Sequence, residues 1–237
     1  MGTNLTNHFR DLNVESNFDD FYNYTTAGLW TTVAASSGTV AADDTQTSGK
    51  VSDILVTTAA TAHDYAGIKT TKQNFLFDLR PMQLYGQFTW GANAASTAQS
   101  AGVMLGFGST ATTMSMTTGA PTLTGTAAVL YRSESGTVWK CSSLAHGGTQ
   151  TDSTSNVSAV DGTYKLEIGV SVWDSANVLV NYFVNDIQLT DANNIPIQHK
   201  VAIASADKMN GFGLFQALTT SVQTGNIGYF GYAQRRI

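Results

Sequence analysis

Thr163-Tyr164-Lys165-Leu166-Glu167-Ile168-Gly169-Val170-Ser171-Val172-Trp173 leads through Asp174-Ser175-Ala176-Asn177 into Val178-Leu179-Val180-Asn181-Tyr182-Phe183-Val184-Asn185-Asp186-Ile187-Gln188-Leu189-Thr190. In the first run Tyr164, Leu166, Ile168, Val170 and Val172 fall on every second residue. A period of two places them on one face of a pleated strand, pointing into a core. The polar quartet 174–177 has turn composition. In the second run Val178, Val180, Tyr182 and Val184 share a face, and Leu179 and Phe183 make the other face partly apolar. Asn185-Asp186 offers a tight turn, because both residue types tolerate the left-handed backbone region. The stretch therefore predicts three consecutive antiparallel strands.

Similar short runs lie on both sides. Leu29–Val33, Val51–Thr57 and Leu84–Trp90 read as strands, and in the last of these Leu84, Gly86, Phe88 and Trp90 alternate. The unbroken apolar run Ala101–Gly108 reads as a strand buried on both faces. Ala127–Arg132 and Thr137–Lys140 flank a Ser/Gly turn and predict a hairpin. Residues 146–158, rich in Gly, Thr and Ser, read as a loop. Gly211–Ala217 and Asn226–Tyr232 close the chain. Long helical patterns are missing although only three prolines occur. The expected fold is all-β: one antiparallel two-sheet β-sandwich over 18–237, preceded by an arm at 1–17.

Length and charge narrow the function. A chain of 237 residues is long enough to bury a large core without covalent staples. Charged residues make up only 12%, about half the usual share. The net charge is −5, and the adjacent basic pair is confined to Arg235-Arg236. That argues against nucleic acid, which needs clustered cations. A single cysteine, Cys141, rules out an internal disulfide framework. Met1-Gly2-Thr3-Asn4 lacks the basic and apolar segments of a secretion signal, and no apolar run approaches the ~20 residues that span a bilayer. No membrane partner is expected.

The order of elements resembles the concanavalin A-like, LamG-type jelly rolls of tailed-bacteriophage virion proteins. The resemblance covers roughly residues 18–235. It rests on Phe18-Asp19-Asp20-Phe21, the strand at Trp30, Tyr85-Gly86-Gln87-Phe88 followed by Gly102–Phe107, Tyr164–Ile168, the strand ending Val184-Asn185-Asp186, and the aromatic strand closing at Arg235. Asp186 departs from the pattern, which more often has glycine there. The resemblance implies a structural or glycan-binding role and no cofactor.

Catalytic signals are weak. Glycoside hydrolysis needs two acids about 5–10 Å apart, yet the glutamates Glu15, Glu134 and Glu167 are far apart in sequence. Asp19-Asp20 and Asp43-Asp44 lack the regular spacing of a calcium loop. His8, His63, His146 and His199 are scattered, without zinc-site spacing. Gly106-Phe107-Gly108-Ser109-Thr110-Ala111 matches a loose dinucleotide pattern but precedes poor helix material. Cys141, beside Lys140, reads as a plain buried thiol. Trp30, Trp90, Trp139 and Trp173 sit at strand spacing and read as core; Trp173, next to a turn, is the one placed for exposure and sugar stacking. The triplets at Asn4, Asn23 and Asn156 read as chance matches.

Two readings follow. The favoured one is a non-enzymatic virion protein, made in the bacterial cytoplasm, that decorates a phage capsid. Its partners are then the major capsid protein or another virion protein, and neighbouring copies of itself. The arm's spaced apolar residues Leu5, Phe9, Leu12 and Val14 are the expected contacts, and removing residues 1–17 is expected to leave the sandwich folded. The alternative is a carbohydrate-binding, lectin-like module with glycan partners.

Overall fold

The computed structural model describes residues 14–21, 28–43, 53–73, 75–91, 101–109, 121–133, 136–203, 207–217 and 220–235. Among them there is no helix. In chain order the strands are β1 Val14–Asp19, β2 Trp30–Ala34, β3 Thr39–Ala42, β4 Ile54–Thr57, β5 Tyr65–Thr70, β6 Met82–Trp90, β7 Gly102–Gly108 and β8 Ala127–Arg132. They continue with β9 Val138–Leu144, β10 Thr151–Ser158, β11 Gly162–Val172, β12 Asn177–Val184, β13 Ile187–Gln188, β14 Gln198–Ala202, β15 Asn210–Gln216 and β16 Thr224–Arg235. Two antiparallel sheets result. Sheet A runs β13-β12-β11-β6-β16-β4-β3, with β1 also on β16 and β14 also on β12; sheet B runs β10-β9-β8-β7-β15-β5-β2.

Residues 163–190 form β11, β12 and β13, as their periodicity predicts. Leu166 and Ile168 are fully buried and Val170 nearly so. Tyr164 is half-buried and stacks on Trp90 at 5.0 Å. Val172 is a correction: it is 44% exposed. On the β6 side β11 loses its neighbour beyond Val170, which pairs with Met82 at the start of β6. Val172 therefore keeps a neighbour only on β12, opposite Val178, and is open on the β6 side. At the β12–β13 turn Asn185 and Asp186 both have positive φ (50° and 65°). That is the type I′ signature, so Asp186 in the commoner glycine position is accommodated.

Every residue of β7, β8 and β15 is buried. The inner core holds Trp30, Phe88, Phe107, Trp139, Ile168 and Phe230 among others, and a second cluster around Met104, Val129, Tyr131 and Leu214 covers the far side of sheet B. Sheet A differs, since its outward face stays polar and aromatic.

Two expectations change. Residues 14–17, assigned to the arm, belong to β1, which pairs with β16 from Val14↔Arg235 to Asp19↔Phe230. Asp19 ties this strand down: it accepts hydrogen bonds from the Phe21 amide at 2.7 Å and from Trp30 Nε1 at 2.9 Å. Residues 151–158, read as loop, form β10 on the edge of sheet B. Leu5, Phe9 and Leu12 lie outside the described residues.

Candidate functional site

The outward face of sheet A gathers the polar members of β6 and β11. Register sets a row across five strands: Phe183 on β12, Glu167 on β11, Tyr85 on β6, Gly231 on β16 and Phe18 on β1. Gly231 makes the row possible. A Cβ there would lie 2.6 Å from Tyr85 Cζ, so the tyrosine ring lies flat across the glycine. Phe18, 55% exposed, stacks on Tyr85 with centroids 6.4 Å apart and rings 24° from parallel. Tyr229 completes the cluster 5.7 Å from Phe18. A bulge between Ile227 and Tyr229 interrupts the β16–β6 register, with Gly228 as the extra residue. Burial pushes the Tyr85 and Tyr229 hydroxyls above their ordinary pKa. They stay protonated and able to donate.

Beside this aromatic platform is a charged group. Glu167 is 6% exposed. Burial raises its pKa, against the Gln83 hydrogen bond and the Lys165 charge, which both lower it. Lys165 is closer to Asp186, which it contacts directly, than to Glu167 at 4.0 Å. Burial pulls the lysine pKa down, but the Asp186 hydrogen bond and the two carboxylate charges outweigh it and leave it raised. Lys165 is thus committed to Asp186, and Glu167 is only partly compensated.

On the Gly169 side of Glu167 the face sinks into a groove of about 210 Å³. Its floor is Gly169, which pairs with Asn181 on one side and Gln83 on the other. Phe183 and Pro81 contribute walls. A Cβ at Gly169 would meet only the Phe183 ring, at an ordinary 3.6 Å. Further along stands Trp173, 57% exposed, with Lys200 Nζ 5.8 Å from its ring centroid. Of the four tryptophans it is the one the sequence marked for exposure; Trp30, Trp90 and Trp139 are buried.

The remaining candidates that the structure describes are scattered over the fold. Asp43 accepts a hydrogen bond from Asn226 Nδ2 at 2.7 Å. Among the described residues no group of three or more metal-ligating side chains occurs. His146 is exposed and pairs with Asp207 at 2.7 Å. His199 is buried between the sheets: Nδ1 meets Ser143 Oγ and Tyr182 Oη, and Nε2 meets Ser153 Oγ. Cys141 is fully buried, and burial pushes its thiol up. Glu15 sits on β1, while Glu134, His8, Asn4 and Asn23 lie outside the described residues. Asn156 is on β10, bonded to Asn194 and Thr190. Folding brings Asp186 near Glu167, which their separation in sequence concealed. The Lys165 ammonium contacts both, so the acids do not flank an open gap.

No protein-family model and no curated protein matches this chain. Solved structures do. A protein of unknown function from Shewanella oneidensis MR-1 aligns with a TM-score of 0.57 at 13% identity, over 94% of this chain and 87% of that one. The endo-beta-1,4-glucuronan lyase of the fungus Trichoderma reesei gives 0.55 at 9% identity, over 86% and 90%. The carbohydrate recognition domain of Emp47p gives 0.53 at 10%, over 94% and 95%. The fold is a concanavalin A-like jelly roll. At these identities the likeness is one of fold alone, and a recognition domain and a lyase share it. Function on this jelly roll must be read from the face itself.

Proposed function

We propose that this protein is a carbohydrate-binding, lectin-like module that holds a glycan against the outward face of sheet A without cleaving it. The observation that carries this reading is the Phe18–Tyr85–Tyr229 platform beside a groove edged by Glu167, Gln83 and Asn181. Sugars present flat C–H faces and a rim of hydroxyls. Aromatic rings suit the first, and carboxylate and amide groups suit the second. The carbohydrate recognition domain among the fold neighbours supports glycan binding on this scaffold, and the lyase supports glycan contact but not the absence of cleavage.

The non-enzymatic part rests on the acids. Glu167 and Asp186 share a lysine, and a glycosidase pair must leave that space to the sugar. The capsid-decoration reading favoured by the sequence has no observation on its side: Leu5, Phe9 and Leu12 lie outside the described residues, and Val14 is in a strand of the sandwich.

Binding of the full chain to a broad glycan panel tests the proposal. Tyr85→Ala should weaken capture of every bound glycan by about tenfold or more, the scale at which truncating a central aromatic anchor acts. Absence of binding to any glycan, or a Tyr85→Ala variant that binds undiminished, overturns it. Release of reducing ends or unsaturated sugars on incubation overturns the non-enzymatic part.

A further inference from the structure

We infer that the groove over Gly169 is a subsite for the acetamido group of an N-acetylated amino sugar. The inference rests on the reading of this face as a sugar site and adds which sugar it selects.

Three features of the groove converge. The first is space. Gly169 leaves a hollow on a strand face where a side chain would otherwise stand, and Phe183 and Pro81 wall it with carbon. A methyl group fits against Phe183 and Pro81; a hydroxyl turned towards those two walls would lose water without gaining a partner there. The second is an acceptor. Glu167, two residues back along β11, is buried, and its cation among the described residues is the shared Lys165. An amide N–H placed next to it donates to the carboxylate. The third is a donor. Asn181 Oδ1 accepts from Gln198 Nε2 at 2.7 Å and from Gln188 Nε2 at 3.2 Å. Those two bonds orient the amide. Its Nδ2 makes only a long 3.5 Å bond to the Leu179 carbonyl, so it has a hydrogen to give. Methyl, N–H and C=O of an acetamido group each find a complement.

Charge excludes the nearest competitors. Among the described residues no Lys or Arg lines the groove, so a uronate or sulfated sugar there would face Glu167 with no cation of the groove to offset it. A free amino sugar would satisfy Glu167 but would desolvate an ammonium against Phe183.

The test is titration of the full chain, followed by saturation-transfer NMR, with N-acetylglucosamine, N-acetylgalactosamine, their parent hexoses and glucosamine. At least one acetamido sugar should bind about tenfold or more tightly than its parent, the scale set when hydrogen-bonding groups are left unmet. Its acetyl methyl should show the strongest saturation. Gly169→Val fills the hollow at a position where a Cβ is tolerated, so the thermal midpoint should hold. That variant should lose the preference for the acetamido form. Tyr85→Ala, run in parallel, should weaken all sugars alike. If Tyr85→Ala abolishes sugar binding while Gly169→Val leaves the preference intact, the acetamido subsite is wrong and the sugar-binding face stands. Equal affinity for acetamido sugar and parent, or tighter binding of glucosamine, also overturns the subsite. If none of these sugars binds, the acetamido subsite falls, and the sugar-binding face stands or falls on the broad glycan panel.

Discussion

Glu167 alternates with the apolar residues of β11 and so occupies a polar sheet face, yet neighbours on three strands bury it. A carboxylate there loses water that Gln83 and Lys165 replace only in part, which is why burial dominates its raised pKa. An acid with a folded pKa above its unfolded value adds stability at low pH and loses that contribution as pH rises through the folded pKa. Glu167→Gln keeps an acceptor for Gln83 and removes the charge. At pH 7 it should raise the thermal midpoint by about 2 °C, roughly the shift given by 1 kcal/mol in a domain of this size. The gain should shrink towards pH 4. Scanning calorimetry at both pH values checks this, and a lower midpoint at pH 7 would mean the Lys165 contact outweighs burial.

At the scale of the element, β1 decides where the domain begins. Its six residues pair with β16, and each ladder hydrogen bond contributes about 1 kcal/mol net. A chain lacking residues 1–12 keeps all of β1 and serves as the reference. One lacking residues 1–17 should be several kcal/mol less stable by urea titration, contrary to the reading of those residues as an arm. Equal stability of the two would show that β1 adds nothing to sheet A. The element also shows what the sequence could reveal. β11 and β12 were legible because one face of each is buried, so burial wrote a period of two into Leu166, Ile168 and Val170. β10, Thr-Asp-Ser-Thr-Ser-Asn-Val-Ser, sits on an edge with little to bury and carries no such pattern. Val172 misled because alternation tells which face a residue takes, not where the neighbouring strand stops. Part of the site was legible: Trp173 stood out beside its turn, and the tyrosines as a class suggested stacking. Gly169 and Gly231 were not, since a glycine acquires meaning only once register places Phe183 or Tyr85 over it.

Across the whole molecule, His199 joins the two sheets through Ser143, Ser153 and Tyr182. Burial lowers its pKa to about 4 from an ordinary 6.5, the Asp152 charge opposing. The unfolded chain therefore binds the proton first, and stability should fall as pH drops from 6.5 towards 4, by about 3 kcal/mol in all. Glu167 contributes with the opposite sign, so the slope is best read in the Glu167→Gln background by urea titration at pH 7 and pH 4.5. The lowered pKa values of Asp174 and Asp207 act below this window. His199→Gln should flatten the profile; an unchanged slope would assign the acid sensitivity elsewhere. The strand order has one more consequence. β15 lies between β7 and β5, and β16 bridges β6 to β4 and β1, so two strands late in the sequence hold both sheets together. During translation the nascent chain must carry half-sheets with bare edges until residue 235 has left the ribosome. Until then its open β-edges are free to pair with other chains.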